Sequence, residues 1–142
     1  MDVERFAVLL AEDDNGHATL VEKNLRRAGV KNPLFRVHDG QEALDFLRKQ
    51  GRFHQREDTA LLMLLDIRMP RVDGIEVLRQ LREQPKTERI PVVVLTTTDD
   101  PREILRCYEL GCSAYITKPV EYDQFVESIR RLGLFLQTIC VA

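Results

Sequence analysis

Short apolar runs alternate along the chain with longer segments in which apolar residues recur at helical spacing. Five runs rich in Val, Leu and Ile are short enough to be strands buried on both faces, at 6–11, 34–37, 61–65, 92–96 and 114–116. Segments with apolar residues at helical spacing follow these runs; the first contains Leu20, Val21, Leu25 and Ala28. This alternation predicts an α/β domain in which helices cover both faces of a five-stranded parallel sheet.

Turn and capping residues mark where each predicted helix begins. They are Asp14-Asn15, Asp39-Gly40, Asp73-Gly74, Asp99-Asp100-Pro101 and Val120-Glu121. Gly29 and Gly111 follow the first and fourth helices, where a left-handed residue commonly ends a helix. Gly133 predicts a break or bend near the end of the chain. The charged, aperiodic segment 51–60 (GRFHQREDTA) is typical of a surface loop.

Length and composition favour one soluble domain spanning residues 1–142, with no attached output domain. The net charge of -2 comes from 21 basic and 23 acidic residues without a basic block, which argues against direct nucleic-acid binding. The N-terminus lacks the basic region of a secretion signal, and no stretch reaches the roughly 20 apolar residues of a membrane span. We therefore expect a cytoplasmic protein, with Cys107, Cys112 and Cys140 as free thiols.

The C-terminal tail, from about residue 132, is apolar for a chain end. An exposed apolar patch there would be a contact site, whereas a tail packed onto its own domain would be part of the core. The sequence leaves both alternatives open, a homodimer contact and intramolecular packing.

Residues capable of chemistry follow the ends of the predicted strands. Ligands of open α/β sheets bind beyond the carboxyl ends of the strands, and the order 2-1-3-4-5 would bring several of these ends to one crevice. The residues are Asp13, Asp14, Asp66, Thr96 and Lys118. Carboxylates held close together need a proton or a cation between them, and oxygen ligands suit Mg²⁺. Helix capping is an equally good explanation of Asp13 and Asp14 taken alone.

An aspartate in such a crevice can act as a nucleophile and form an aspartyl phosphate. Asp66 ends an apolar run, where a buried charge is costly without a partner. Lys118 would balance charge on phosphoryl oxygens, and the Thr96 hydroxyl would donate to them. The sequence therefore favours phosphoryl transfer to Asp66.

Four motifs together are similar to those of the receiver domain of two-component response regulators, with its CheY-like fold. They are LLAEDD at 9–14, LLDIRMPRVDG at 64–74, VVVLTTT at 92–98 and YITKP at 115–119. The resemblance implies that Asp66 is the phosphoacceptor and that a sensor histidine kinase is the phosphodonor. It also implies that Asp14 binds Mg²⁺ directly, that Asp13 does so through water, and that Arg68 contributes its backbone carbonyl.

The same resemblance implies that Thr96 and Tyr115 form a switch pair, in which the hydroxyl moves toward the phosphoryl group and the ring turns inward. In the family the peptide before the residue corresponding to Pro119 is often cis. Arg68 departs from the small polar residue that many members carry two positions after the phosphoacceptor. We expect its guanidinium to contact the phosphoryl group or obstruct the attacking water, and so to tune dephosphorylation.

Weaker motifs resemble the stand-alone regulators paired with bacterial phytochrome kinases. They include the segment at 51–60, the stretch IPVVVLTTT and the segment LGCSAYITKPVEYDQF. This narrower resemblance implies a phytochrome kinase as phosphodonor and often a homodimer. The onward partner is left open among a downstream protein, a histidine phosphotransfer protein and a role as a phosphate sink.

Three other functions compete with this interpretation. Aspartate-nucleophile phosphatases place a second Asp two positions after the nucleophile, where this chain has Arg68, so we expect no enzyme activity beyond self-phosphorylation and autodephosphorylation. A nucleotide- or flavin-binding domain would carry a glycine-rich phosphate loop, and none follows any predicted strand. A pseudo-receiver, which is an interaction module without phosphorylation, remains the alternative that only an assay separates.

Overall fold

A computed structural model describes residues 6–57, 59–97, 99–118 and 122–139. Within these ranges strands and helices alternate as the apolar pattern predicts. The strands are β1 (Ala7–Ala11), β2 (Leu34–Val37), β3 (Leu61–Leu65), β4 (Val92–Thr96) and β5 (Ala114–Thr117). The α-helices are α1 (Asn15–Arg27), α2 (Gly40–Arg48), α3 (Gly74–Glu83), α4 (Pro101–Glu109) and α5 (Tyr122–Ile139). Three strands have the predicted bounds, β1 begins one residue later than expected, and β5 ends one residue later.

The five strands form one parallel sheet in the order β2-β1-β3-β4-β5. This confirms the predicted topology. All carboxyl ends lie at one edge of the sheet, and β1 and β3 are neighbours, with Ala11 paired with Leu65 at that edge. The residues that follow β1 and β3 therefore start side by side.

Aspartates cap four of the helices at the predicted positions. Asp14, Asp39, Asp73 and Asp100 each accept a hydrogen bond from a backbone N–H in the first turn of α1, α2, α3 and α4. These bonds satisfy N–H groups that have no partner inside the helix. The predicted start of the fifth helix, at 120–121, lies outside the described residues.

Two apolar layers sandwich the sheet. Side chains from α2, α3 and α4 pack on one face, and those from α1 and α5 on the other. The buried free thiols Cys107 and Cys112 lie in the first layer, as expected for cysteines without a disulfide, while Cys140 lies outside the described residues. Among the described residues, none of the helices combines the length and apolar character that a membrane span requires.

Of the break or bend predicted at Gly133, the break is wrong, because α5 runs through this residue without interruption. A Cβ at this position would lie 2.5 Å from the Cβ of Ala28 at the end of α1. The glycine therefore allows α5 to approach α1 closely. Leu132 and Leu136 are buried in the same layer, whereas Leu134 is 45% exposed. The described part of the tail thus packs onto its own domain.

The predicted surface loop at 51–60 contains a short 3₁₀ helix, Gly51–Phe53. The rings of Phe53 and Phe46 meet edge to face with centroids 5.1 Å apart. Arg56 donates to the carbonyl of Phe46 at 2.6 Å and covers its ring. The segment is therefore attached to α2 even though most of its residues are exposed.

Candidate functional site

The carboxyl edge of the sheet brings two buried carboxylates and a buried ammonium group together. Glu12 follows β1, Asp66 follows β3 and Lys118 follows β5, and their exposed fractions are 1%, 6% and 5%. Glu12 and Asp66 are neighbours because β1 pairs with β3. Lys118 reaches them past the end of β4, which lies between β3 and β5. The sequence predicted Asp66 and Lys118 at this crevice.

Lys118 is the hydrogen-bond centre of this group. Its Nζ donates to Glu12 Oε1 and, at 3.3 Å, to Asp66 Oδ2. His17, on the first turn of α1, places its Nδ1 3.4 Å from the same Nζ and 3.8 Å from Glu12 Oε1. A buried charge requires a partner of opposite sign, and here one cation serves two carboxylates. The described crevice is therefore one negative charge in excess if both acids are ionised.

Three carboxylates of this crevice are close enough to share a cation. Oxygen atoms of Glu12, Asp13 and Asp66 lie within 4.8 Å of one another, and Asp13 is exposed to solvent. Burial, reinforced by the neighbouring Asp66, raises the pKa of Glu12 to about 7 despite the opposing effect of Lys118. The crowding of negative charge is the physical condition that a bound cation relieves. Oxygen donors with open access to water suit a hard divalent ion such as Mg²⁺.

The structure does not bring all of the predicted ligands together. Asp14, expected to bind Mg²⁺ directly, lies outside the carboxylate group and caps α1, where its Oδ1 accepts from the His17 backbone N–H at 2.9 Å. That hydrogen bond holds the pKa of Asp14 below its usual value. Glu12, and not Asp14, joins Asp13 and Asp66 in the carboxylate group. Because β1 ends at Ala11, Glu12 is the first residue beyond the strand, and that position was the sequence signal for it.

The backbone around Asp66 fixes the direction of its carboxylate. The Asp66 N–H donates to the carbonyl of Ala11 at 3.0 Å, and the Arg68 N–H donates to Asp66 Oδ1 at 3.2 Å. Gly74 lies so close that a Cβ there would be 2.3 Å from the Asp66 carbonyl oxygen. The start of α3 is thereby held against the phosphoacceptor candidate.

The predicted switch residues lie on adjacent strands. Thr96 is fully buried at the end of β4, and Tyr115 lies on β5, where it pairs with Val94. Burial raises the pKa of Tyr115 to about 12, with smaller contributions from Cys107 and Glu103. The phenol is therefore neutral at physiological pH, and its ring packs against the layer formed with α4.

Arg68 pairs with Glu103 on the first turn of α4, with Nη2 3.2 Å from the carboxylate. No feature of the sequence predicted this contact, because it joins residues separated by 35 positions. Pro119 and its peptide bond lie outside the described residues. So does Thr98, the last residue of the VVVLTTT motif.

The family model of the response regulator receiver domain matches residues 8–130. A crystal structure of a response regulator receiver domain from Rhodospirillum rubrum superposes with a TM-score of 0.84 at 50% identity. The match covers 93% of this chain and 94% of that chain. The fold is thus shared with a solved receiver domain.

Two phytochrome-related regulators are also similar. Response regulator Rcp1 of Synechocystis is 33% identical over 133 residues, covering 93% of this chain and 90% of the relative. The Mn²⁺-bound form of Rcp1 superposes with a TM-score of 0.86 at 32% identity, over 91% and 92% of the two chains. The phosphorylated cyanobacterial phytochrome response regulator RcpA gives a TM-score of 0.86 at 32% identity, over 94% of each chain.

These matches confirm the resemblance found in the motifs, including its narrower form. The chain belongs to the family of response regulator receiver domains.

Proposed function

We propose that this receiver accepts a phosphoryl group on Asp66 from a phosphohistidine of a sensor histidine kinase. The observation that carries the proposal is the buried contact between Lys118 and both Glu12 and Asp66. A buried ammonium group that already faces the nucleophile is placed to receive the negative charge of an incoming phosphoryl group. Structural ion pairs of this kind are costly to bury, so a functional role accounts for the arrangement.

In the proposed reaction an Asp66 oxygen attacks phosphorus as the P–N bond of the phosphohistidine breaks. The imidazole leaves as the neutral base after taking up one proton. Lys118 Nζ then pairs with a phosphoryl oxygen in place of Asp66 Oδ2, and the Thr96 hydroxyl donates to another. The signal ends by hydrolysis: water attacks phosphorus, the bond to Asp66 breaks, and the products are the carboxylate and inorganic phosphate.

The donor set fits a divalent cation, and we propose Mg²⁺. Glu12, Asp13 and Asp66 would hold it together with the carbonyl of Arg68, and Asp14 would not take part. When bound, Mg²⁺ neutralises charge on the phosphoryl oxygens and on the crowded carboxylates. The Mn²⁺-bound form of the relative Rcp1 supports a divalent site.

The proposed phosphodonor is a kinase of the phytochrome class. Its support is the similarity to RcpA, a phytochrome response regulator whose phosphorylated form has been solved. The proposed output is association through the face around α4 and β5, where Tyr115 lies, rather than catalysis of any further reaction. A histidine phosphotransfer protein is an alternative recipient of the phosphoryl group.

The test is incubation with Mg²⁺ and phosphoramidate, read by intact mass and a phosphate-affinity gel. The wild type should gain one phosphoryl mass, and Asp66→Asn should gain none. Asp123→Asn, an exposed acid on α5, is the matched control and should behave as the wild type. If folded, metal-loaded wild type shows neither an adduct nor release of phosphate, the chain is a phosphorylation-independent interaction module.

A further inference from the structure

Arg68 connects the phosphoacceptor to α4 through two different contacts. Its backbone N–H donates to Asp66 Oδ1 at 3.2 Å, and its guanidinium lies 3.2 Å from the Glu103 carboxylate. Asp66 precedes the β3–α3 loop, and Glu103 lies on the first turn of α4. One residue therefore links the reacting group to α4, with its backbone bonded to Asp66 and its side chain to Glu103.

The surroundings of the guanidinium are acidic on the α4 side. The hydrogen bond from the Arg102 backbone N–H lowers the pKa of Asp100, the residue that caps α4, and Arg68 adds a smaller effect in the same direction. Burial raises the pKa of Tyr115, and there Arg68 opposes the smaller effect of Glu103. Asp99 also faces Tyr115. The Arg68 side chain is 64% exposed and that of Glu103 21%, so the pair is solvent-screened and easily exchanged.

A phosphoryl group on Asp66 would offer this guanidinium a stronger partner. It carries nearly two negative charges and presents oxygens that match the two-pronged geometry of arginine. The backbone of Arg68 is already hydrogen-bonded to the carboxylate that would carry it. A single carboxylate such as Glu103 competes weakly by comparison, and after release it remains favourable at the positive end of α4.

We infer that Glu103 is a positioning residue for the phosphorylation chemistry: it holds the Arg68 guanidinium against α4, and the phosphoryl group on Asp66 competes with it for that guanidinium. The inference rests on the proposed function. Phosphorylation then removes one tie between the β3–α3 loop and α4, next to Tyr115. Arg68 drawn onto the phosphoryl group shields phosphorus from water and lengthens the lifetime of the phosphoryl group.

The test measures the rate of phosphoryl loss after phosphoramidate is removed, in wild type, Glu103→Gln, Arg68→Gln and the double variant. Releasing Arg68 in Glu103→Gln should lengthen the lifetime by about three- to tenfold, the range of one ordinary, solvent-screened hydrogen bond. Arg68→Gln should shorten it. In the double variant the lifetime should equal that of Arg68→Gln, because Glu103 acts only through Arg68.

Glu109→Gln is the matched control on the same helix, since Glu109 pairs with Arg106 at the far end of α4. It should leave the lifetime unchanged. Melting temperatures of all variants show whether each is folded.

A lifetime in Glu103→Gln equal to wild type would overturn the inference, as would an effect of equal size in the Arg68→Gln background. Either result leaves the proposed function intact, because the wild type would still be phosphorylated. Failure of the wild type itself to take up a phosphoryl group would instead overturn the proposed function.

Discussion

Lys118 Nζ lies 3.3 Å from Asp66 Oδ2 in a crevice where both side chains are almost completely buried. The two residues are separated by 52 positions and meet because β3 and β5 flank β4. The same ammonium group also neutralises Glu12. Stability and chemistry at this site therefore depend on the same side chain.

Replacing Lys118 by Met should destabilise the protein, because it leaves Glu12 and Asp66 buried without a cation. Removing one partner of a buried ion pair typically lowers the free energy of unfolding by roughly 3 kcal/mol. Urea denaturation at pH 8 in EDTA measures the loss. Lys86→Met, at an exposed lysine, is the control and should change the free energy by less than about 0.5 kcal/mol. Equal losses in the two variants would contradict the role of Lys118.

Substitutions of Asp13 and Asp14 should have different effects on the affinity for Mg²⁺. Asp13→Asn removes a carboxylate of the cluster, so we expect Mg²⁺ affinity to fall by at least about tenfold, the least that even supporting residues of a metal site cost. Asp14→Asn should leave the affinity nearly unchanged, because Asp14 lies outside the carboxylate group. Isothermal titration calorimetry measures both. Equal losses would instead indicate that Asp14 is a metal ligand.

Asp14→Ala should lower the melting temperature through loss of the α1 cap, since Asp14 Oδ1 accepts from the His17 N–H. The expected result is a less stable protein with unchanged metal affinity. A variant with lower affinity and unchanged stability would show the opposite division of roles.

The metal-free protein should lose stability as the pH rises through neutrality. The pKa of Glu12 is raised from 4.5 to about 7 in the folded state, so the folded protein binds this proton more tightly than the unfolded chain does. The resulting stabilisation is complete below about pH 4.5 and is lost as the pH rises through about 7. Chemical denaturation in EDTA, at several pH values between 4.5 and 7, should show the free energy of unfolding falling as the pH rises.

Glu12→Gln removes the titrating group, so the slope of the free energy of unfolding against pH should become flatter. Glu22→Gln, at an exposed acid on α1, should keep it. A slope that persists in Glu12→Gln would assign the pH dependence to another residue.

Gly133→Ala should destabilise the contact between α1 and α5 although alanine is the better helix former. The added Cβ would lie 2.5 Å from that of Ala28, so the helices must separate. Overpacking of this kind costs about 1–3 kcal/mol, more than the gain in helix propensity. Thermal or urea unfolding measures the difference. Ala28→Gly should recover most of the loss in the double variant, and additive losses would show that the two residues do not clash.

The order of elements, the buried strands and the starts of four helices could all be predicted from the sequence alone. Those features depend on neighbours along the chain: an apolar run must be buried, and an aspartate beside a helix start caps its own first turn. Asp66 was identifiable for the same reason, as a charge directly after an apolar strand. The family motifs strengthened each of these predictions.

Three features depend on contacts between distant segments: which carboxylates share the crevice, why residue 133 is a glycine and which residue holds Arg68. Three adjacent acids look alike in sequence, but the end of β1 turns Glu12 and Asp13 toward Asp66 and leaves Asp14 to cap α1. Gly133 meets Ala28, and Arg68 meets Glu103, across the fold. Such contacts depend on strand pairing and helix packing between distant segments, and local periodicity does not encode those distances.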